Sequence, residues 1–396
     1  MTDTLERERL DVRGKSRSNL FNWRGQFTPE FIEYLLEKFP PHVGVLDPFC
    51  GSGTVIVECA RRGIPAVGCE INPAAYAMSK FFTFCNSELK DRNRLVESLY
   101  EHLSRVMPGF RDLPLFGNAQ EFRARHSNLY EFATSLFAAI KDKQIMLLAL
   151  LLVFHAEDAV GNQLGSGVAR ALDTLKRDLL SLPLTPSSVE AHLHDARLSD
   201  QVSSSKVDLI ITSPPYINVF NYHQNYRGVL EILGFDMLRV AQSEVGSNRK
   251  NRGNRFRTVI QYCLDMEQAL ASFARALSSN GRVIIVVGRE SRVRGVAFYN
   301  SYIIKELFDS MGCFEVIGSH ERAFTNRFGI KIKEDIIICN RLEGEPSVGN
   351  ARRIASSHLE QAFAFAESNV KHDIGDALSQ CAGIEPSPLF QVREVV

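Results

Sequence analysis

The chain has 396 residues, 45% hydrophobic and 23% charged, which is enough for one large or two ordinary domains with a sizeable core. Lys plus Arg and Asp plus Glu are equal at 46 each, so an evenly basic, polyanion-coating surface is excluded and any basic face must be local. The eight cysteines form no CxxC pair, which points away from a zinc site or disulfide framework and toward a reducing cytoplasm.

In chain order, residues 1–21 are polar, mixed in charge and without an apolar h-region, and they predict a flexible leader rather than a targeting signal. FNWRGQFTPEFIEYLLEKFP then predicts a helix, with Thr28 as N-cap, Pro29 at the first helical position, and Phe31, Tyr34, Leu35 and Phe39 at helical spacing. A short apolar strand, residues 43–46, leads into DPFCGSGT (47–54) and a second helix to about Arg62. The strand PAVGCE closes on Glu70, and Asn72-Pro73 open another helix. A strand, a glycine loop, a helix and a second strand ending in an acid begin a doubly wound α/β sheet.

Residues 85–187 interrupt this rhythm with mostly helical patterns. They include the apolar run 145–154, which is about half the roughly 20 residues a bilayer span needs and predicts a buried helix instead. No membrane partner is expected. The α/β pattern resumes with VEAHLHDA (189–196), VDLIITSPPY (207–216), a helix over about 258–278, GRVIIVVG (281–288) and a helix near 302–311. CFEVIGS (313–319) and EDIIICN (334–340) then predict an antiparallel hairpin at a sheet edge. After Arg341 the sequence predicts a helix and a loose ending. The expected division is therefore leader 1–21, cofactor half 22–84, helical insertion 85–187, catalytic half 188–341 and tail 342–396.

Two loops carry chemistry. Gly51 and Gly53 let the backbone approach a ligand at the end of the first strand. Glu70 follows about 20 residues on, the distance at which an acid binds ribose hydroxyls. The third glycine of a dinucleotide fingerprint and the Lys of a phosphate loop are both missing. Ser213-Pro214-Pro215-Tyr216 follows a strand, and its two prolines remove backbone donors and stiffen the loop in an extended form. A hydroxyl, a free carbonyl and an aromatic ring held rigidly suit a flat substrate bearing an amino group.

These segments resemble the amino-methyltransferases that act on DNA. DPFCGSGT resembles their cofactor loop, which implies that Asp47, Pro48, Phe49, Gly51, Gly53 and Thr54 bind S-adenosylmethionine. RGQFTPEFIEYLL resembles the segment that holds the methionine end, implicating Phe27 and Thr28. GCEINPAA resembles the motif whose acid, here Glu70, binds the ribose, and HDA resembles the one whose acid, here Asp195, contacts the adenine amino group. SPPY resembles the catalytic loop, implying that Ser213 and Pro214 accept hydrogen bonds from the target amine while Pro215 stiffens the loop and Tyr216 stacks on a base swung out of the duplex.

The implied fold is a Rossmann-like, seven-stranded, mostly parallel methyltransferase sheet with a helical insertion. Serine in first place of the loop favours cytosine N4 over adenine N6, and the absence of a Pro-Cys dipeptide argues against cytosine C5. The cofactor loop precedes the catalytic loop, a circularly permuted order relative to many SPPY enzymes. The resemblance implies double-stranded DNA as partner, and a restriction endonuclease as a second. Three alternatives remain open: adenine-N6 methylation, methylation of an RNA base amine, and a catalytically inactive DNA-binding partner.

For DNA contact the loop NRKNRGNRFR offers Arg249, Lys250, Arg252, Arg255 and Arg257 without an acid, with Phe256 and asparagines between them. The helical insertion competes for that role, and Arg322, Asn326 and Arg327 are candidates for the substrate face.

Overall fold

The computed structural model describes residues 5–12, 17–107, 129–157, 164–203, 205–217, 222–247, 251, 253–325 and 329–390. The first half runs α1 (Arg7–Leu10), α2 (Pro29–Lys38), β1 (Val45–Asp47), α3 (Thr54–Arg61), β2 (Ala66–Glu70) and α4 (Pro73–Phe81). Four insertion helices follow, α5 (Leu89–Val106), α6 (Leu129–Ala139), α7 (Lys143–His155) and α8 (Leu164–Ser181). The second half holds β3 (Val189–Leu193), β4 (Val207–Thr212), α9 (Arg227–Ile232), α10 (Met237–Ser243), α11 (Arg257–Ala276) and β5 (Leu277–Gly288). It continues with β6 (Glu290–Val293), β7 (Val296–Tyr299), α12 (Asn300–Met311), β8 (Phe314–Thr325), β9 (Lys331–Arg341), α13 (Ala351–Phe365) and α14 (Ser368–Ser379).

Seven strands form one sheet in the order β3-β2-β1-β4-β5-β9-β8. The first five are mutually parallel, and β9 runs antiparallel to both its neighbours. The predicted Rossmann-like, mostly parallel methyltransferase sheet is thus present, edge hairpin included. Its central strands are apolar on both faces because helices cover both sides, which is why the sequence shows continuous runs there rather than alternation.

Local chemistry explains the helix starts. Pro29 and Pro73 occupy first helical positions, where a missing N–H is harmless. Asn72 caps α4 by accepting from the Ala74 amide at 3.0 Å, and Asp142 caps α7 by accepting from the Gln144 and Ile145 amides at 2.9 Å. At α2 the residue is Thr28 as expected, but its hydroxyl makes no capping bond. Helix α7 is buried from Leu147 to Phe154, so the apolar run is core, as its length requires. No described helix is long and apolar enough to cross a membrane.

Three expectations change. The segment read as a flexible leader is tied down where it is described: the Glu6 amide donates to the Tyr34 hydroxyl, Arg17 pairs with Glu33 at 2.7 Å and Glu58 at 3.0 Å, and Asn19 donates to the Phe27 carbonyl. The tail beyond Arg341 forms two helices, α13 against α11 and α14 against α13, rather than one helix and a loose end. A small hairpin, β6 with β7, was not expected. Short polar stretches give little periodic pattern, so only long-range contacts fix these segments. The insertion helices share one apolar core with α2, α3 and α4 rather than forming a separate unit.

Candidate active site

β1 and β4 lie side by side, Val45 opposite Leu209 and Leu46 opposite Ile210, where the strand order reverses. Open α/β sheets hold ligands at the carboxyl ends of strands flanking this point. Asp47 ends β1 and Thr212 ends β4. The Thr212 hydroxyl donates to Asp47 Oδ1 at 2.7 Å and accepts from the Phe49 amide at 3.2 Å, fastening the two loops together at their roots. Withdrawal from water pushes the Asp47 carboxyl up to about 7 despite these donors.

The glycine loop turns through left-handed backbone at Gly51 (φ 50°) and Gly53 (φ 88°). Their needs differ. A Cβ on Gly53 would lie 2.8 Å from the Phe82 ring and 2.9 Å from Ser79, so this glycine lets α3 start against α4. At Gly51 a Cβ would meet, among the described residues, Trp23 at 3.4 Å. Pro48 is buried, Phe49 packs edge-on to Phe273, and the Thr54 hydroxyl donates to Asn19 Oδ1 at 3.3 Å.

Glu70 reaches back from β2 to accept from the Gly51 amide at 2.9 Å and from the Asn72 amide at 2.8 Å. Burial raises its carboxyl to about 7, with a further push from Glu244. Phe27 is buried against Phe31, and the neighbouring Thr28 hydroxyl is buried without a partner among the described residues, as is the Asn72 side-chain amide nitrogen. Ser52 donates to Gln26 at 2.7 Å, drawing the segment before α2 onto the loop. The expected cofactor residues Phe27, Thr28, Asp47, Gly51 and Glu70 therefore converge on the carboxyl ends of β1 and β2.

Asp195 does not join them as a free acceptor. Its Oδ1 accepts from the Arg197 amide and Nε, and its Oδ2 accepts from Arg197 Nη2 at 2.6 Å and the Phe390 amide at 2.9 Å. Those four bonds fill a carboxylate's acceptor positions. Arg197, itself wholly buried, also bonds Asp265 and the Ser387 and Pro388 carbonyls, so this cluster clasps the C-terminal tail. The expected contact of Asp195 with an adenine amino group has no open acceptor here.

In the SPPY loop Pro214 is buried while Ser213, Pro215 and Tyr216 are partly exposed. The Tyr216 ring rests on Gly288 at the end of β5, where a Cβ would lie 2.6 Å from a ring carbon. Its hydroxyl donates to Glu334 Oε1 at 3.2 Å. Burial holds the phenol well above its usual range. Glu334 in turn pairs with Arg322 (3.2 Å), which lies 4.0 Å over the Phe31 ring. Beyond the loop, the Ile217 amide donates to Asn300.

Sequence reasoning missed several neighbours. Trp23 stacks on Tyr222 (centroids 5.9 Å apart, 21° between planes), bridging the cofactor loop and the segment after SPPY. His223 Nδ1 lies 3.1 Å from Glu244 Oε2, both side chains deeply buried. Glu334 stands at the head of the apolar run EDIIICN, where a charge is unusual, and that was the available signal. His223 and Glu244 are 21 positions apart and gave none.

The basic loop is only partly described: Arg249, Lys250 and Arg252 lie outside the described residues, as do Asn326 and Arg327. Arg255 is exposed. Arg257 is committed to Asp376 at 2.8 Å, and Asn254 bonds the same carboxylate. Phe256 is fully buried near Phe298 and unavailable to bases, because the loop must anchor α11 to α14.

Residues 7–81 match the family model described as DNA methylase. The Type II methyltransferase M.BsoBI of Geobacillus stearothermophilus is 23% identical over 70% of this chain and 66% of its own length. The Type II methyltransferase M.MjaII of Methanocaldococcus jannaschii is 38% identical over 15% of this chain and 12% of its own. The chain thus spans just under two thirds of the first relative and about an eighth of the second. Among solved structures, TrmN from Thermus thermophilus covers 81% of this chain and 50% of its own at 13% identity and a TM-score of 0.33, a likeness too loose to carry argument. In its cofactor-side segment and through its Type II relatives, the chain is similar to the DNA amino-methyltransferases.

Proposed function

We propose that this protein transfers a methyl group from S-adenosylmethionine to an exocyclic amino group in double-stranded DNA, with cytosine N4 as the preferred target. One observation carries the reading: the Asp47–Thr212 bond sets the glycine loop and the SPPY loop side by side at the strand-order reversal. A methyl donor on one loop and a flat amine on the other would lie within reach of each other, and positioning supplies much of the rate when the methyl is already on a sulfonium.

The crevice suits such a cofactor. Glu70 supplies acceptors for ribose hydroxyls, and the unpartnered Thr28 hydroxyl is available to the methionine end. The acids Asp47, Glu70 and Glu244 complement a cation. When bound, the cofactor contributes an electrophilic methyl group. The protein's part is to hold the amine. Ser213 and the Pro214 carbonyl accept its hydrogens and draw the nitrogen lone pair out of the ring, Pro215 stiffens the loop, and Tyr216 covers the base.

Arg249, Lys250, Arg252 and Arg255 are the proposed phosphate contacts. The Type II names of the relatives favour a role beside a restriction endonuclease of matching specificity. Serine at the head of SPPY supports cytosine N4, and adenine N6 is the second reading.

The test is incubation with unmethylated genomic DNA and labelled S-adenosylmethionine, followed by mass spectrometry of the nucleosides. N4-methylcytosine supports the reading, N6-methyladenine moves the target, and label in RNA alone overturns the DNA assignment. Ser213→Ala and Tyr216→Ala are expected to lose turnover while still binding cofactor.

A further inference from the structure

The catalytic loop is fastened on one side by a buried amide. β4 and β5 run parallel, Thr212 opposite Ile285, so Ser213 and Gly288 lie at the same rim of the sheet. Asn300, fully buried at the start of α12, donates to the Gly288 carbonyl at 2.7 Å and to the Ser291 hydroxyl at 3.0 Å. Its Oδ1 accepts from the Ile217 amide at 3.4 Å. It therefore joins the residue after Tyr216 to the strand end on which the Tyr216 ring rests.

Two tyrosines flank this anchor. Tyr299 closes β7 and Tyr302 lies in the first turn of α12, with ring centroids 5.5 Å apart and 38° between planes. They are 44% and 57% exposed, so two large rings stand in water at the rim that carries the catalytic loop. Their backbone is held firmly, since β7 pairs with β6 along its whole length and α12 starts on Asn300.

What such a pair can hold is limited. Two rings expose far less than the roughly 1,000 Å² that a specific protein partner needs. The arginines of the neighbouring hairpin already face acids, Arg292 with Glu290 at 2.7 Å and Arg294 with Asp373, so the surface offers flat faces more than charge. A base swung out to reach Ser213 leaves its neighbours in the duplex unstacked on one side, and an aromatic ring beside the opening can cover them.

We propose that Tyr299 and Tyr302 form a stacking platform for the DNA bases beside the target nucleotide. The platform deepens the methyl-transfer reading above and rests on it. Asn300 gives it a fixed place relative to Tyr216, because one side chain bonds both the catalytic loop and the strand end. Stacking tolerates any sequence, since every base has a π face, so the pair holds the opened duplex without choosing the site. Its share of the affinity releases no counterions, unlike that of a phosphate contact.

Tyr299→Ala and Tyr302→Ala test this, each beside its phenylalanine counterpart, on a short duplex carrying one site that the wild-type protein methylates. Each alanine is expected to weaken DNA binding about 5- to 150-fold, the loss of one base–aromatic contact, at an unchanged slope of affinity against salt. Tyr299→Phe and Tyr302→Phe keep the ring and are expected to stay within twofold. With 2-aminopurine placed next to the target, the alanine variants should be brighter, because the unstacked base loses the ring that quenches it. Affinity for S-adenosylhomocysteine, measured by calorimetry, should hold within twofold throughout. Alanine variants that bind DNA as the wild type does overturn the proposal and leave the methyl-transfer reading standing. A loss that lowers the salt slope, or that the phenylalanine variants or S-adenosylhomocysteine binding share, also overturns it. A wild-type protein that modifies no DNA overturns both.

Discussion

The Thr212 hydroxyl sits 2.7 Å from Asp47 Oδ1, and this one bond joins the last residue of β1 to the last residue of β4. The two loops proposed to hold methyl donor and acceptor share that root, so their separation is set by a buried contact rather than by the loops themselves. Thr212→Val keeps the shape and removes the hydroxyl. It takes the hydroxyl donor from the buried Asp47 carboxyl, while the Phe49 amide keeps its bond to Asp47 Oδ1 at 3.2 Å, and a loss of about 1–3 kcal/mol is expected on chemical denaturation. Weaker cofactor binding should accompany it.

Burial raises Glu70 from 4.5 and Asp47 from 3.8, each to about 7. A carboxyl with a raised folded pKa keeps a proton that the unfolded chain has already released, so it costs stability as pH climbs from about 4 toward 7 and the cost levels off above that. Denaturation midpoints should therefore fall from pH 5 to pH 8, and fall less in Glu70→Gln. Ribose hydroxyls donating to Glu70 favour the ionised form, so Trp23 fluorescence should report tighter cofactor binding at pH 8 than at pH 6. A pH-independent affinity would argue against Glu70 as the ribose acid.

Gly288 makes room for the Tyr216 ring. Gly288→Ala puts a methyl 2.6 Å from a ring carbon, and the ring must move. Displacements near 1 Å at a reacting centre cost about 100-fold. Methyl transfer to DNA should drop by about that much, with cofactor affinity unchanged.

Asp195 and Arg197 are predicted to matter for stability. Asp195→Asn removes half of a buried charge pair that also anchors the backbone at Phe390. Breaking such a pair costs about 3–5 kcal/mol. Thermal melting should show the loss, while cofactor affinity below the melting range changes little. A selective loss of affinity at unaltered stability would restore the adenine contact.

The basic loop divides in two. Arg252→Ala with Arg255→Ala should weaken DNA binding and lower the salt slope by about 1 to 2, near one unit for each phosphate no longer neutralised. Arg257→Ala, whose charge is held by Asp376, should leave that slope alone and loosen α14 instead.

What the sequence determined by itself was local and periodic. Pro29, Asn72-Pro73, the glycine turn and the apolar runs state their elements directly, because capping, left-handed backbone and two-sided burial each restrict residue type at short range. DPFCGSGT and SPPY were legible for the same reason: a ligand loop is a short run of chain whose residues act together. Partnerships between distant residues were left to the tertiary structure. Asp195 has the same neighbours in sequence whether its carboxylate faces a cofactor or Arg197, and only the arrival of Phe390, 195 positions later, filled its last acceptor site. Arg257 and Phe256 looked like part of a basic loop until α14 and the core claimed them. Glu334 and Tyr216 are 118 positions apart, and the partner of the Tyr216 hydroxyl came from strand pairing at the sheet edge. Side chains choose partners by distance in space, and the fold sets that distance.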